Sequence, residues 1–267
     1  MKPFNVFRTS IRELFSDKKI WLLASIYCLF TLFCLMLIAR RGAWSDRGIF
    51  DLIADVWGNL GSTNHQMFII VAIPVIVTLL TQLIEKNERA LNVITFGSRF
   101  RTWHAHVISA ICLSFILTFI IVAISFLVGG LLVGTTNTWL IPSGTISELL
   151  NNKEHFLSIV SNIATYNIVF TIFITKFLGF LMISFCVLFL KQFIRNAALI
   201  MIILIGLAGL DQTGVLPVQL FTWNATLSIH NWLEPTITFY RCIYLFVISL
   251  VLYGITGWLY ERKDFLS

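Results

Sequence analysis

Lys176 stands inside "TYNIVFTIFITKFLGFLMISF", a run otherwise free of charge. An ammonium group so placed must snorkel to a wet boundary, pair with a neighbouring helix, or line a path for something polar. Lys176 lies about 22 Å along a helix from Lys191. That leaves it within about 8 Å of the far edge of a hydrocarbon layer about 30 Å thick. Asp211 and Glu234 flank a second uncommon stretch, 212–238, and read either as its wet ends, the favoured reading, or as the bounds of a re-entrant element. That stretch contains no Lys or Arg, yet it holds Phe221, Trp223 and Trp232. A third stretch, "IEKNERALNVITFGSRFRTWHAHV", gathers Glu85, Glu88, Phe96, Arg99, Arg101 and Trp103 between two apolar runs. Arginines and aromatics in such numbers suit docking to a protein surface. They suit equally well a basic topology anchor with Trp103 in the aromatic belt.

Other chemistries find no constellation. The pair "GK" does not occur, so the chain cannot hold ATP in a P-loop, and there is no HExxH. "EKNE" is not a paired-glutamate protease motif. His104 and His106 are two apart and would face different sides of a helix, with no nearby Cys or Asp to complete a metal set. Cys28, Cys34, Cys112, Cys186 and Cys242 are odd in number, lack a CxxC, and lie in or beside apolar runs. They read as small buried side chains.

The elements that must position these residues follow from solvent. Hydrophobic residues make up 58% of the chain and charged residues 12%, too few charges to cover a soluble surface. Apolar runs at about 20–39, 67–84, 107–133, 167–190, 197–211 and 239–260 predict six transmembrane helices. The expected fold is therefore all-α, a polytopic membrane protein in one domain, 1–267. The net charge of +6 sits at the ends of the runs, with no basic soluble domain to carry nucleic acid.

With both termini cytosolic, thirteen Lys and Arg fall inside: Lys2, Arg8, Arg12, Lys18, Lys19, Lys86, Arg89, Arg99, Arg101, Lys191, Arg195, Arg262 and Lys263. Five fall outside: Arg40, Arg41, Arg47, Lys153 and Arg241. The positive-inside rule then orients the chain. The first span has no small-residue cleavage site after it and reads as retained rather than as a signal peptide.

Segment 1–19 predicts an amphipathic interfacial helix, with Phe4, Phe7, Ile11, Leu14 and Phe15 on one face. "TISE" offers a capping box from Thr145 to Glu148 in the outer segment 134–166. Residues 197–210 make about 21 Å of helix, too short to cross alone. Beyond them, Pro217, Asn224, His230, Asn231 and Pro235 interrupt the apolar pattern, so 212–238 predicts a re-entrant segment before the last span. A hydrophobic loop lying on the outer leaflet is the other reading. Ser98 would cap a helix running into the third span.

Four features together resemble the short six-span permease subunits of ABC-2-type transporters, of the kind found in bacteriocin and antimicrobial-peptide export or immunity. They are the amphipathic start; a segment between the second and third spans with glutamate, an apolar turn, "FGSR" and an aromatic; the apolar re-entrant segment; and a last span closing in "YERKDFL". The resemblance implies a coupling segment at 85–106, with Glu85, Glu88, Phe96, Arg99, Arg101 and Trp103 as contacts to a separate ABC ATPase dimer. ATP and Mg would be held there and not in this chain. It implies a second permease subunit, identical or related, in a bacterial plasma membrane. Lys176, Phe221, Trp223 and Trp232 are the candidate pathway residues. An ATP-independent secondary carrier or channel is the alternative, and an intramembrane enzyme or an accessory membrane protein are others.

Overall fold

The computed structural model describes residues 48–54, 61–88, 99–150, 156–157 and 159–262. It also describes positions 18, 22, 25, 26, 29, 32 and 33, all helical. The expected interfacial helix (Lys18 apart), most of the first span, Ser98 and Phe96 lie outside the described residues.

Among the described residues the protein is all-helical, without strands. In chain order the helices are α1 (Ile49–Ile53), α2 (His65–Asn87), α3 (Arg99–Val133), α4 (Thr145–Leu150), α5 (Thr165–Leu190), α6 (Ala197–Thr213), α7 (Phe221–Ala225), α8 (Ile229–Leu233) and α9 (Pro235–Glu261). Four of them, α2, α3, α5 and α9, are long and apolar enough to cross a membrane. Helix is the only open-ended element that satisfies every backbone group without water. Buried hydroxyls follow the same rule. Ser109, Thr118 and Thr175 each donate to a carbonyl four residues back in their own helix. Ser114 and Ser184 meet at 3.0 Å between α3 and α5.

Helix ends depart from the expected boundaries in instructive ways. α3 starts at Arg99, eight residues before the predicted third span. At 35 residues it is about 52 Å long, well beyond a hydrocarbon layer about 30 Å thick, and its charges lie in its first turn. α6 has 17 residues, about 25 Å. It begins on Asn196, whose side chain accepts from the Ala198 amide, and stops at Gly214, which is left-handed at φ 69°. α9 begins at Pro235, a residue suited to a first helical turn. Inside α2, Phe68–Ala72 forms a π turn just before Pro74. The proline has no amide hydrogen for the α-helical ladder, which is relieved by widening the turn.

α5 is the central helix, packed by α2, α3, α9 and α7, while α6 lies chiefly against α2 and α7. The buried apolar side chains form two clusters. The larger one runs through the bundle and includes Phe68, Ile76, Trp103, Phe180, Leu204, Phe221, Ala225 and Tyr260. The smaller one caps the end of the bundle where α2, α5 and α9 begin, and includes Phe50, Trp139, Ile146, Ile163, Leu227 and Trp232. The boundary between the two falls in the chain between Ala225 and Leu227. Opposite this capped end is a basic end, where Lys86, Arg101, Lys191 and Arg262 lie.

Candidate functional site

The five-residue helix α7 is far too short to be stable by its own hydrogen bonds. Its ends are held by an acidic and a basic side chain from two longer helices. At its N-terminus, the Asp211 carboxylate of α6 accepts from the amides of Leu220 (2.7 Å), Thr222 (2.9 Å) and Trp223 (3.0 Å) and from the Thr222 hydroxyl (2.5 Å). At its C-terminus, Lys176 Nζ of α5 donates to the Ala225 carbonyl at 2.6 Å and lies 5.3 Å from the centre of the Phe68 ring. An anion at the amide end and a cation at the carbonyl end both match the helix dipole and satisfy its orphan groups. Asp211 is 2% exposed and Lys176 0%. Asp211 is therefore not a wet end, and Lys176 does not snorkel: each finds its hydrogen-bond partners at a helix terminus instead of in water. Glu234 is exposed, as expected.

Gly179, one turn along α5 from Lys176, lets α7 approach. A Cβ there would stand 2.7 Å from Ala225 Cβ and 3.2 Å from the Phe68 ring. Between α7 and α8 the chain is gathered by Arg241 of α9. Its Nη1 donates to the carbonyls of Trp223 (3.3 Å) and Thr226 (3.3 Å) and to Asn231 Oδ1 (3.2 Å). His65, at the start of α2, faces Thr226 through Nδ1 at 3.3 Å and stands by the Trp223 ring at 6.3 Å. Lys176, Asp211, Arg241 and His65 thus surround one short stretch of backbone.

The expected pathway residues divide. Phe221 (1% exposed) is packed in the main core and Trp223 is half-buried beside His65, so both join Lys176 at α7. Trp232 belongs to the cap, edge-on to Trp139 at 5.5 Å. Asp51, which carries no obvious signal in the sequence, ties that cap together. It accepts from the Gly48 amide (2.9 Å), Trp139 Nε1 (2.8 Å), Thr138 (3.4 Å) and Thr145 (3.0 Å). The Thr145 hydroxyl thus joins α4 to α1. An acidic residue two positions after the start of a short helix, itself preceded by a glycine, is its only trace.

At the basic end, Glu85 is paired with Lys191 at 2.6 Å, and Lys191 also donates to the Arg195 carbonyl at 2.6 Å. Glu88 lies beside Tyr260. Trp103 is 3% exposed, with its ring 5.8 Å from both Tyr253 and Tyr260 and its Nε1 filling the space over Gly257. Expected as a surface contact, Trp103 is instead a wedge between α3 and α9, because Gly257 leaves a ring-sized gap. In the first turn of α3, Phe100 and Arg101 are exposed. Arg99 begins α3, and Phe96 lies outside the described residues. His104 lies tilted against Phe100 with ring centres 4.1 Å apart, whereas His106 is buried edge-on to Tyr260 at 5.5 Å. The two histidines diverge as their spacing requires, and no metal-ligating group occurs among the described residues.

Compared with models of protein families, with curated proteins and with solved structures, the chain matches none. Its fold is that of a helical protein with four candidate membrane spans, and its centre of polar chemistry is the charge-bracketed helix α7.

Proposed function

We propose that the chain is the membrane-spanning subunit of an ATP-driven ABC transporter. Two such subunits, identical or related, would work with a separate ATPase dimer that binds ATP and Mg, and would export or expel a peptide or other amphipathic compound. The basic end is then cytosolic and the capped end outside, with 85–106 as the coupling segment and 212–238 as a re-entrant element. The observation that carries this reading is α3. It is one unbroken 35-residue helix whose first turn exposes Phe100 and Arg101 and whose far half packs on α1 of the cap. A push on such a rod below the membrane arrives above it without loss in a flexible joint. ATP binding does work on the permease only through differential affinity for its two states.

The test is recovery of the tagged chain from native membranes. A stoichiometric ATPase is expected with the wild type, and its loss is expected with Phe100→Ala combined with Arg101→Glu, with the folded chain still recovered. Absence of any ATPase from the wild type, or full retention of the ATPase by the double variant, would overturn the reading.

A second reading is an ATP-independent carrier, favoured by the buried charges around α7, since intramembrane charges commonly mark ion or proton paths. Substrate flux into proteoliposomes holding the chain alone separates the two.

A further inference from the structure

Arg241 and Lys176 are two cations beside one carboxylate, and that carboxylate is already occupied. Asp211 accepts four hydrogen bonds from the start of α7, about the full capacity of its two oxygens. Among the described residues, both cations are bonded to neutral acceptors alone: backbone carbonyls and the Asn231 amide oxygen. An arginine stays charged wherever it sits, and the half-buried Arg241 meets no carboxylate among the described residues, so an anion would complete its pairing.

The free donors indicate where an anion would be met. Arg241 uses only Nη1, at 3.2–3.3 Å, leaving among the described residues the Nε–Nη2 edge of a fork shaped for carboxylate or phosphate. Asn231 is 2% exposed and its Nδ2 has no hydrogen-bond partner among the described residues. Its orientation is not arbitrary: Oδ1 accepts from the Ser228 amide and hydroxyl, both at 3.0 Å, so nitrogen must occupy the other position. A buried, unsatisfied donor next to a half-used guanidinium is the arrangement an oxyanion completes. On the other faces of α9, Phe239, Tyr240 and Ile243 are 64%, 69% and 43% exposed, so the helix that carries Arg241 turns an apolar side outward.

We propose that Arg241 and Asn231, with Lys176 behind them, form a receptor for a single carboxylate or phosphate group carried by an amphipathic molecule. As a statement of substrate class this rests on the transport reading. The receptor itself requires only the chain, and the source of the group is either a lipid headgroup or the acidic end of the transported compound.

The purified chain in an uncharged detergent is titrated with dodecanoate, dihexanoyl phosphatidic acid, dihexanoyl phosphatidylcholine and dodecanol, following thermal stability and tryptophan fluorescence. A ligand that binds only the folded state raises the melting temperature saturably. The anionic probes are expected to do so and the neutral and zwitterionic ones are not. Arg241→Gln is expected to weaken the response about tenfold or more, the loss of a charge-assisted pair. Asn231→Asp keeps both acceptor bonds to Ser228 and the bond from Arg241 but sets an oxygen where the free donor was, so it is expected to abolish the response, and, by giving Arg241 an anion of its own, to leave the unliganded melting point no lower. Response to phosphatidic acid alone assigns the site to lipid, and response to dodecanoate assigns it to a carboxylate-bearing substrate. Either outcome supports the receptor. No saturable anion-specific response, or one undiminished in both variants, overturns it. Because no ATPase is present, failure of the transport reading leaves these outcomes unchanged.

Discussion

The two ends of the bundle handle charge in opposite ways. At the basic end, Glu85 and Lys191 pair directly, with Glu85 56% exposed. At the capped end, Asp211 and Lys176 are both buried and do not pair with each other. Each instead takes one end of a helix too short to stand alone. Where water reaches, a carboxylate and an ammonium gain little from meeting, since solvent already stabilises both. Where it does not, an isolated charge is costly, and backbone amides and carbonyls that would otherwise be orphaned become its natural partners. The deep charges are therefore spent on the ends of one short helix, whereas at the basic end the buried Lys191 divides itself between the exposed Glu85 carboxylate and the Arg195 carbonyl.

The largest expected effect tests this asymmetry. Asp211→Ala strands three amides and a hydroxyl in an apolar site, and should cost about 3–5 kcal/mol. The measurement is thermal unfolding of the purified chain in detergent, and a loss no greater than that of a surface alanine would break the comparison. Next comes Gly179→Ala, which places a methyl against Ala225 Cβ at 2.7 Å and should cost about 1–3 kcal/mol by overpacking. Combining it with Ala225→Gly should restore most of that loss, and simple additivity in the double variant would mean that α7 is not held against Gly179. The smallest effect belongs to the basic end. Glu85→Gln should change stability by less than about 1 kcal/mol, and the difference should shrink with added salt.

The sequence reveals the two ends to different degrees. Apolar runs report helices well, because a span must be apolar over its whole length whatever it packs against. Four of the expected spans appear at nearly the expected positions. Lys176 and Asp211 stand out in the sequence as charges in or beside oil. Their partners do not, because the Ala225 carbonyl and the Trp223 amide belong to no residue type. A backbone acceptor has no letter. Arg241 illustrates the same point: by position it is one more basic residue near a membrane surface, and only the turn of chain from Trp223 to Asn231 makes it a hub. Trp103 misleads for a different reason. An aromatic beside arginines resembles a contact surface, and the gap at Gly257 that receives it lies on α9, at the far end of the chain.

The π turn in α2 has one more implication. Adding a residue to a single turn rotates everything beyond it by about 100° relative to an uninterrupted helix. With the turn at Phe68–Ala72, Phe68 lies under the Lys176 ammonium while Ile76, Leu80 and Ile84, further down, still face the core. The helix is therefore in two phases, with His65 before the turn facing Thr226 and Ile76, Leu80 and Ile84 after it facing the core. Deleting a single residue from that turn would bring them into one phase and turn His65 away from Thr226, so the irregularity works as the gear that lets a single rod mesh with both.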